Sequence, residues 1–440
     1  MKTLVLCWLA AAGPGQWWQA YGDPELDRLI EKVASGNLDL QAATQRIAES
    51  RAVAGERKSA LGPQVNLTSG AQRLRGGFSQ GIARIPTAPG AAQSGAFVSP
   101  FETGLLQGGL DMKWELDLFG TNKAGLAAAR ADVAAEELRR GDLLITLTAE
   151  AARNYIELRG IEERLAITRE NAATQKDRLG LITERARAGL DSQLDVERQA
   201  VLLANTEASL SVLEAELGIR LNRLAVLAGD FGYRPAAGSS LKLQAPAVGT
   251  GISAELLKRR PDVRAAQARI AAAASRVKQA RSDLYPKIAL NGLAGRQGTS
   301  VTGLSLGGGN FFNLGPQLQL PIFNYGRIKS QIAASDARLD QERTGYETKI
   351  LTALEEANNA LLQYQRQQER EAKLVVAQQA AQSSLELSGD LQKAGLGDFL
   401  SVLDAQRSVL DAQFQRALSH TQVLVESVAL YKALAGGWPQ

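Results

Sequence analysis

A chain of 440 residues with 45% hydrophobic and 22% charged residues is a folding sequence, and its formal net charge of +4, with basic residues interleaved among acids, offers no surface for nucleic acid. Aromatics make up only 5%, and Ala, Leu, Gln, Arg and Glu dominate long stretches, which suits long helices with a small-residue seam. The single cysteine, Cys7, and single histidine, His420, cannot build a His/Cys metal site, and two methionines cannot relay soft metals. Nucleophilic catalysis would have to run through His420, which sits in the helical run Ala417 to Val428 and reads as a surface or interface residue, so neither an enzyme nor a cofactor is expected.

Residues 1–16 stand apart. Met1-Lys2-Thr3 followed by the weakly apolar Leu4 to Ala12 reads equally as a short export signal, with small residues at Ala10 to Ala12, or as a truncated start. No run of 18 apolar residues occurs anywhere, so no transmembrane helix is expected. A helix from Asn37 leads to a strand with Val65 and Leu67 on one face and Gln64, Asn66 and Thr68 on the other. The segment Arg73 to Gln107, rich in Gly, Ser and Pro, reads as a long loop. The return strand alternates Leu110, Met112, Trp114 and Leu116 against Asp111, Lys113 and Glu115. Gly120 to Arg187 is proline-free and would reach roughly 100 Å as one helix. Its apolar positions include Ala127, Ala131, Ala134 and Leu138, then Ile145, Ala149, Ala152 and Ile156, with Arg153, Asn154 and Glu157 filling the other faces. Ala188-Gly189-Leu190 ends it, since glycine accepts the left-handed conformation of a helix stop. The chain then turns back at Leu194.

A duplication organises the whole. Asn37 to Leu67 lies over Arg260 to Leu290 without a gap, matching Asp39, Ala42, Ala43, Arg46, Ile47 and Ala48 to Asp262, Ala265, Ala266, Arg269, Ile270 and Ala271. Gly120 lies over Gly326, Glu150-Ala151 over Glu356-Ala357, and Ala188-Gly189-Leu190 over Ala394-Gly395-Leu396. The offset shortens between the two blocks, so the first copy carries extra residues, placed in its loop. The second copy has Ile288 and Leu290 on one strand, a Gly-rich segment Arg296 to Asn313, and Leu314, Leu318, Leu320 and Ile322 on the next, opposite Gln317 and Gln319. Its long helix runs from Gly326 to Lys393. The expected domains are therefore 17–229 and 254–440, joined by a linker at 230–253.

Each strand is predicted to be about 10 residues long, the length that crosses a bilayer. Trp114, Phe119, Phe323 and Tyr325 would form an interfacial aromatic girdle, alongside Phe97, Phe101, Tyr285, Phe311 and Phe312. The alternation by itself also fits a soluble sandwich. Four strands cannot close a membrane barrel, whose smallest form has about 8, so strands in lipid would have to be shared between chains.

The motifs carry a resemblance. Trp17-Trp18-Gln19 with Asp23-Pro24-Glu25-Leu26, Arg259-Arg260-Pro261-Asp262-Val263-Arg264, Tyr285-Pro286, Leu320-Pro321-Ile322-Phe323 and Leu403-Asp404-Ala405-Gln406-Arg407 resemble those of outer membrane factors. These are the TolC-like channels of efflux pumps, and the OprM/NodT-type branch is the most similar. The resemblance covers Trp17 to Leu434. It implies an α+β fold of long α-helices forming a periplasmic α-barrel, plus four transmembrane β-strands per chain contributing to a trimeric 12-stranded β-barrel. It implies a homotrimer set in outer-membrane lipid. Its partners would be a periplasmic membrane-fusion adaptor and an inner-membrane pump of the RND type, with drugs or other small toxic compounds as cargo. It places a periplasmic gate on Leu400, Asp404 and Arg407, where three Asp404 carboxylates would attract cations. It assigns adaptor contact to the helix tips at Gly189, Leu190, Ser192, Gly395, Leu396 and Ser401. Two departures stand out. Cys7, the lipidation candidate, follows Leu6 where a lipid signal wants a small residue, and Gln392 and Gly397 stand where some relatives tie the gate with Tyr and Arg. The competing readings are a soluble coiled-coil scaffold, and a copper or silver efflux channel.

Overall fold

The computed structural model describes residues 16–77, 100–190, 192–236, 258–301 and 304–435. Cys7, Phe97 and most of the linker lie outside them. A 3-10 turn over Trp17–Tyr21 leads to helix α1, Pro24–Gly36. Asp23 starts α1 by accepting the Glu25 N–H, and Pro24 sits in the first turn, where its missing donor costs nothing. Leu26, Leu29, Ile30 and Val33 form its buried stripe. Helix α2, Leu38–Ser59, is capped by Asn37, whose Oδ1 accepts from the N–H groups of Asp39 and Leu40 at 2.9 and 3.1 Å.

Strands β1, Gln64–Gly77, and β2, Pro100–Leu116, follow, then helix α3, Thr121–Arg187, and helix α4, Gln193–Leu227. The second half repeats this order with α5, Pro261–Ser282, β3, Lys287–Val301, β4, Leu304–Gln319, α6, Arg327–Lys393, and α7, Phe399–Ala433. The equivalent helices have equal lengths: 22 residues in α2 and α5, 67 in α3 and α6, and 35 in α4 and α7. Among the described residues no helix is long and apolar enough to cross a membrane.

The chain divides into two units. The helical unit holds residues 1–48, 134–268 and 343–440. Its largest core packs Trp17, Trp18, Tyr21 and the α1 stripe against Tyr155, Ile156 and Leu158 of α3, Leu224 and Leu227 of α4, and Leu424 and Val428 of α7. A second core sets the small residues Ala353, Ala357 and Ala360 of α6 against Val423, Leu430 and Ala433 of α7. Full burial of each large apolar side chain contributes about 1.5–3 kcal/mol. The expected stripe at Ile145, Ala149, Ala152 and Ile156 is buried. Asn154, expected on one of the other faces, is buried too. It donates to Glu150 O at 2.8 Å and accepts from Arg220 Nη1 at 3.2 Å, which satisfies its amide inside the packing.

The sheet unit holds residues 49–133 and 269–342. Its four strands are antiparallel in the order β1-β2-β3-β4. They contain 14, 17, 15 and 16 residues, longer than the expected length. Arg73–Gly77 and Pro100–Gln107 are paired strand rather than loop, as is most of Arg296–Asn313. Glycine made these segments read as loops, yet the glycines that flank them are what let the strands approach. A Cβ on Gly109 would lie 2.6 Å from Ala294 O, and one on Gly295 would lie 2.3 Å from Gly108 O. At the other end β4 stops at Gln319, so Leu320 and Ile322 fall beyond the strand, where Pro321 cannot donate to a ladder. Ala127 of the expected small-residue stripe is exposed, and Ala124, Gly125 and Ala128 take the buried side of α3.

Candidate functional site: sheet face, helix turns and motif clamps

The strand register sorts side chains onto two faces. Val65 faces Met112 and Leu67 faces Leu110. Trp114 faces Leu290, and Ile288 faces Leu318. This face is apolar, and Val65, Leu67, Leu106, Leu110, Leu314 and Leu318 are all exposed to solvent in the single chain. Leu106 to Leu116 covers roughly 34 Å along β2, or about 26 Å in height at the ~40° tilt of a membrane barrel, which matches an apolar band of ~25 Å. The other face is mostly polar, with Asn66 donating to Asp111 at 3.2 Å and Asn291 to Gln317 at 2.6 Å.

Aromatic side chains gather where the sheet meets its helices. Trp114 Nε1 donates to Leu61 O at 3.0 Å, Phe119 stacks on Tyr285 at 4.9 Å, and Phe323 meets Tyr325 edge-on at 6.3 Å. Phe323 and Tyr325 are 84% and 93% exposed, so most of their aromatic surface is left open in the single chain. Tyr325 has a φ of 49°, a backbone cost paid beside the left-handed Gly326.

Both long helices end alike. Gly189 N–H reaches Ala186 O and Leu190 N–H reaches Arg185 O, while Gly395 and Leu396 do the same to Gln392 and Leu391. This is the paired stop that a left-handed glycine allows, with φ values of 73° and 75°. The turns present Leu190 and Leu396 at 67% and 78% exposure. Ser192 caps α4 by accepting the Leu194 N–H at 3.1 Å. Its counterpart Asp398 caps α7, accepting both the N–H and the hydroxyl of Ser401. These hydrogen bonds hold the Asp398 carboxyl below the usual aspartate range.

Leu400, Asp404 and Arg407 follow along the first turns of α7. Arg407 Nη1 lies 3.9 Å from Asp404 Oδ1, and both side chains are more than half exposed. They are open to whatever faces that surface. His420, read as a surface or interface residue, is half-buried, with Nδ1 2.7 Å from Glu371 Oε1.

The motifs act as clamps within the helical unit. Trp17 stacks on Tyr431 at 5.3 Å, and the Tyr21 hydroxyl lies 2.5 Å from Ser427 Oγ. The Tyr155 hydroxyl donates to Asp23 at 2.5 Å and accepts from Arg159, which also donates to Ala236 O at 2.7 Å. Burial pushes the Tyr155 hydroxyl well above the usual tyrosine range. Arg260 grips three places: Asp262 through two hydrogen bonds at 3.0 and 2.9 Å, Glu356 at 2.7 Å, and the carbonyl of Ala433 at 3.0 Å. Burial alone would raise Asp262, but the Arg260 hydrogen bonds and charge outweigh it and hold this carboxyl low. Asn37, which overlays Arg260 in the sequence, donates to Leu227 O at 2.9 Å, so each half ties its short helix to the end of its returning helix. The motif at Arg260 was visible in the sequence, but its partners were too distant along the chain to be read. Among the described residues no group of three His, Cys, Asp or Glu could hold a metal ion.

The family profile described as "Outer membrane efflux protein" matches residues 29–230 and 252–436. The chain belongs to the outer membrane efflux protein family. The pyoverdine export outer membrane protein OpmQ of Pseudomonas aeruginosa is 31% identical over 434 residues, covering 96% of this chain and 87% of that protein. The toluene efflux pump outer membrane protein TtgF of Pseudomonas putida is 30% identical over 429 residues, covering 96% and 85%. The solved structure of the outer-membrane channel OprN superposes with a TM-score of 0.81 at 31% identity, covering 97% of this chain and 94% of that one. The chain is thus a TolC-like channel subunit of the efflux type, with the α+β fold of that family, in the outer membrane of a Gram-negative bacterium.

Proposed function

We propose that three copies of this chain form a passive export duct for small organic compounds, docked end-on to a periplasmic adaptor and an inner-membrane RND-type pump. One observation carries this reading. The sheet has an exposed apolar face, a polar opposite face, and two edge strands, β1 and β4, whose outer sides have no strand partner among the described residues. In lipid an open edge leaves polar groups unpaired at several kcal/mol each, so the sheet closes by pairing β4 of one copy with β1 of the next. Cargo such as the pyoverdine and toluene of the relatives' names sets the chemical class. The two halves, 17–229 and 254–440 with the 230–253 linker, are read as one duplicated unit, which gives the trimer a pseudo-sixfold set of helix hairpins.

In this reading the turns at Gly189, Leu190, Ser192, Gly395, Leu396 and Ser401 meet the adaptor, and Leu400, Asp404 and Arg407 form the gate. Trp114, Phe119, Phe323 and Tyr325 sit at the membrane boundary. Cysteines at Ser192 and Ser401 are expected to crosslink to the adaptor in cells, with the trimer recovered in detergent. Crosslinking from a Thr299 cysteine instead would reverse the orientation, and a detergent-free folded monomer would sink the shared barrel.

A further inference from the structure

The two halves of the duplication leave the sheet differently. At the helix end of β2, Trp114 faces Leu290 and Leu116 faces Ile288 of β3. Just beyond, the Phe119 ring stacks on Tyr285, two residues before β3, with centroids 4.9 Å apart. The exit from β2 is thus seated on the corner between α5 and β3, at residues 283–286. Gly120, left-handed at φ 78°, then leads into α3.

The second half carries the same segment. Gly326, left-handed at φ 81°, leads into α6, so Leu320, Ile322 and Tyr325 stand where Trp114, Leu116 and Phe119 stand in the first half. Leu116 is half-buried beside β3, whereas Ile322 is 92% exposed. The difference follows from position: β4 is an edge strand with no further strand beside it among the described residues. The corner that matches residues 283–286 lies between α2 and β1, the other edge strand. There Leu61, Gly62 and Pro63 replace Leu284, Tyr285 and Pro286. A Cβ on Gly62 would meet only Ser59 O, at 3.8 Å, so this corner has room for a ring from elsewhere. Carrying the β2–β3 register onto the two edges sets Leu320 opposite Leu67 and Ile322 opposite Val65. Both pairs are apolar on apolar. A slip of one residue would set Leu320 against Asn66 or Thr68 on the polar face. Pro321 removes one backbone donor here, so side chains carry this contact more than the ladder does.

We propose that residues 320–325 of one copy seat on the α2–β1 corner of the next, with Leu320 opposite Leu67, Ile322 opposite Val65, and the Phe323–Tyr325 pair over Gly62 and Pro63. This rests on the reading that β4 of one copy pairs with β1 of the next, and adds the register and the aromatic seat. The test uses the full-length chain purified in detergent. Under mild oxidation, Leu320→Cys combined with Leu67→Cys is expected to link copies into dimers and trimers on a denaturing gel, well above either single variant. Leu320→Cys combined with Ala71→Cys, out of register on the same face, is expected not to. An assembled trimer that links through the Ala71 variant, or through neither pair, overturns the register. Phe323→Ala combined with Tyr325→Ala is expected to lower the temperature at which the trimer dissociates, with helix content by circular dichroism retained. An unchanged dissociation temperature would mean that the rings face lipid, and overturns the seat. An unmodified protein that forms no trimer would instead strike at the channel reading itself.

Discussion

Arg260 shows what one side chain does at the end of a helix hairpin. Its guanidinium ties the first turn of α5 to α6 and to the last carbonyls of α7, and it is nearly buried. Removing it leaves Asp262 charged in a low-dielectric setting, so Arg260→Ala is expected to cost about 3 kcal/mol, read as a lowered melting temperature in detergent. Arg260→Lys keeps the charge but loses the paired geometry, and an intermediate loss is expected. Nearby, burial and then the Asp262 charge raise the Asp142 carboxyl above the ordinary aspartate range. The sign follows from that direction. The folded state disfavours ionised Asp142, so Asp142→Asn should be the more stable protein near neutral pH. The advantage should fade as pH falls through the raised value and vanish below the unfolded one, where the carboxyl is protonated in both states. Melting curves from pH 7 down to about pH 3 check this. The Arg-Pro-Asp motif marked this place in the sequence, whereas Glu356 and Ala433 did not, because nothing local links them to residue 260.

At the scale of the element, α3 and α7 cross where Gly160 removes a side chain. A Cβ there would lie 2.1 Å from Thr421 Oγ1 and 2.9 Å from Thr421 Cβ. Gly160→Ala should cost about 1–3 kcal/mol through overpacking, although alanine is the better helix former. Thr421→Ala in the same chain should recover part of that loss, and a thermal-stability double-mutant cycle measures the coupling. Helix extents were legible because they follow local chemistry: the absence of proline, and the glycines at 189 and 395 that stop each run. Strand extents were not. Gly109 and Gly295 lower strand propensity when read alone, and only cross-strand closeness explains them. The buried face of α3 near Ala128 was misplaced for a similar reason. A helix alanine-rich on several sides does not declare which side meets a neighbour.

For the whole molecule, the sequence carried the family, the fold class and the repeat, since each leaves a pattern spread over hundreds of residues. The proposed positions of the gate and adaptor contacts came through the resemblance. Asp404 and Arg407 are exposed and near one another, and Leu400 lies a turn before them, free for the contacts the proposed gate needs. The central claim is a closed conduit formed by several copies. The most direct measurement is single-channel recording of the purified trimer in planar bilayers, for the unmodified protein and for Asp404→Ala with Arg407→Ala. The account predicts discrete channels in both. It predicts higher conductance and weaker cation preference in the double variant, because the carboxylate ring and its partners are gone. An assembled trimer that gives no discrete conductance, or a double variant with unchanged conductance and selectivity, would contradict it.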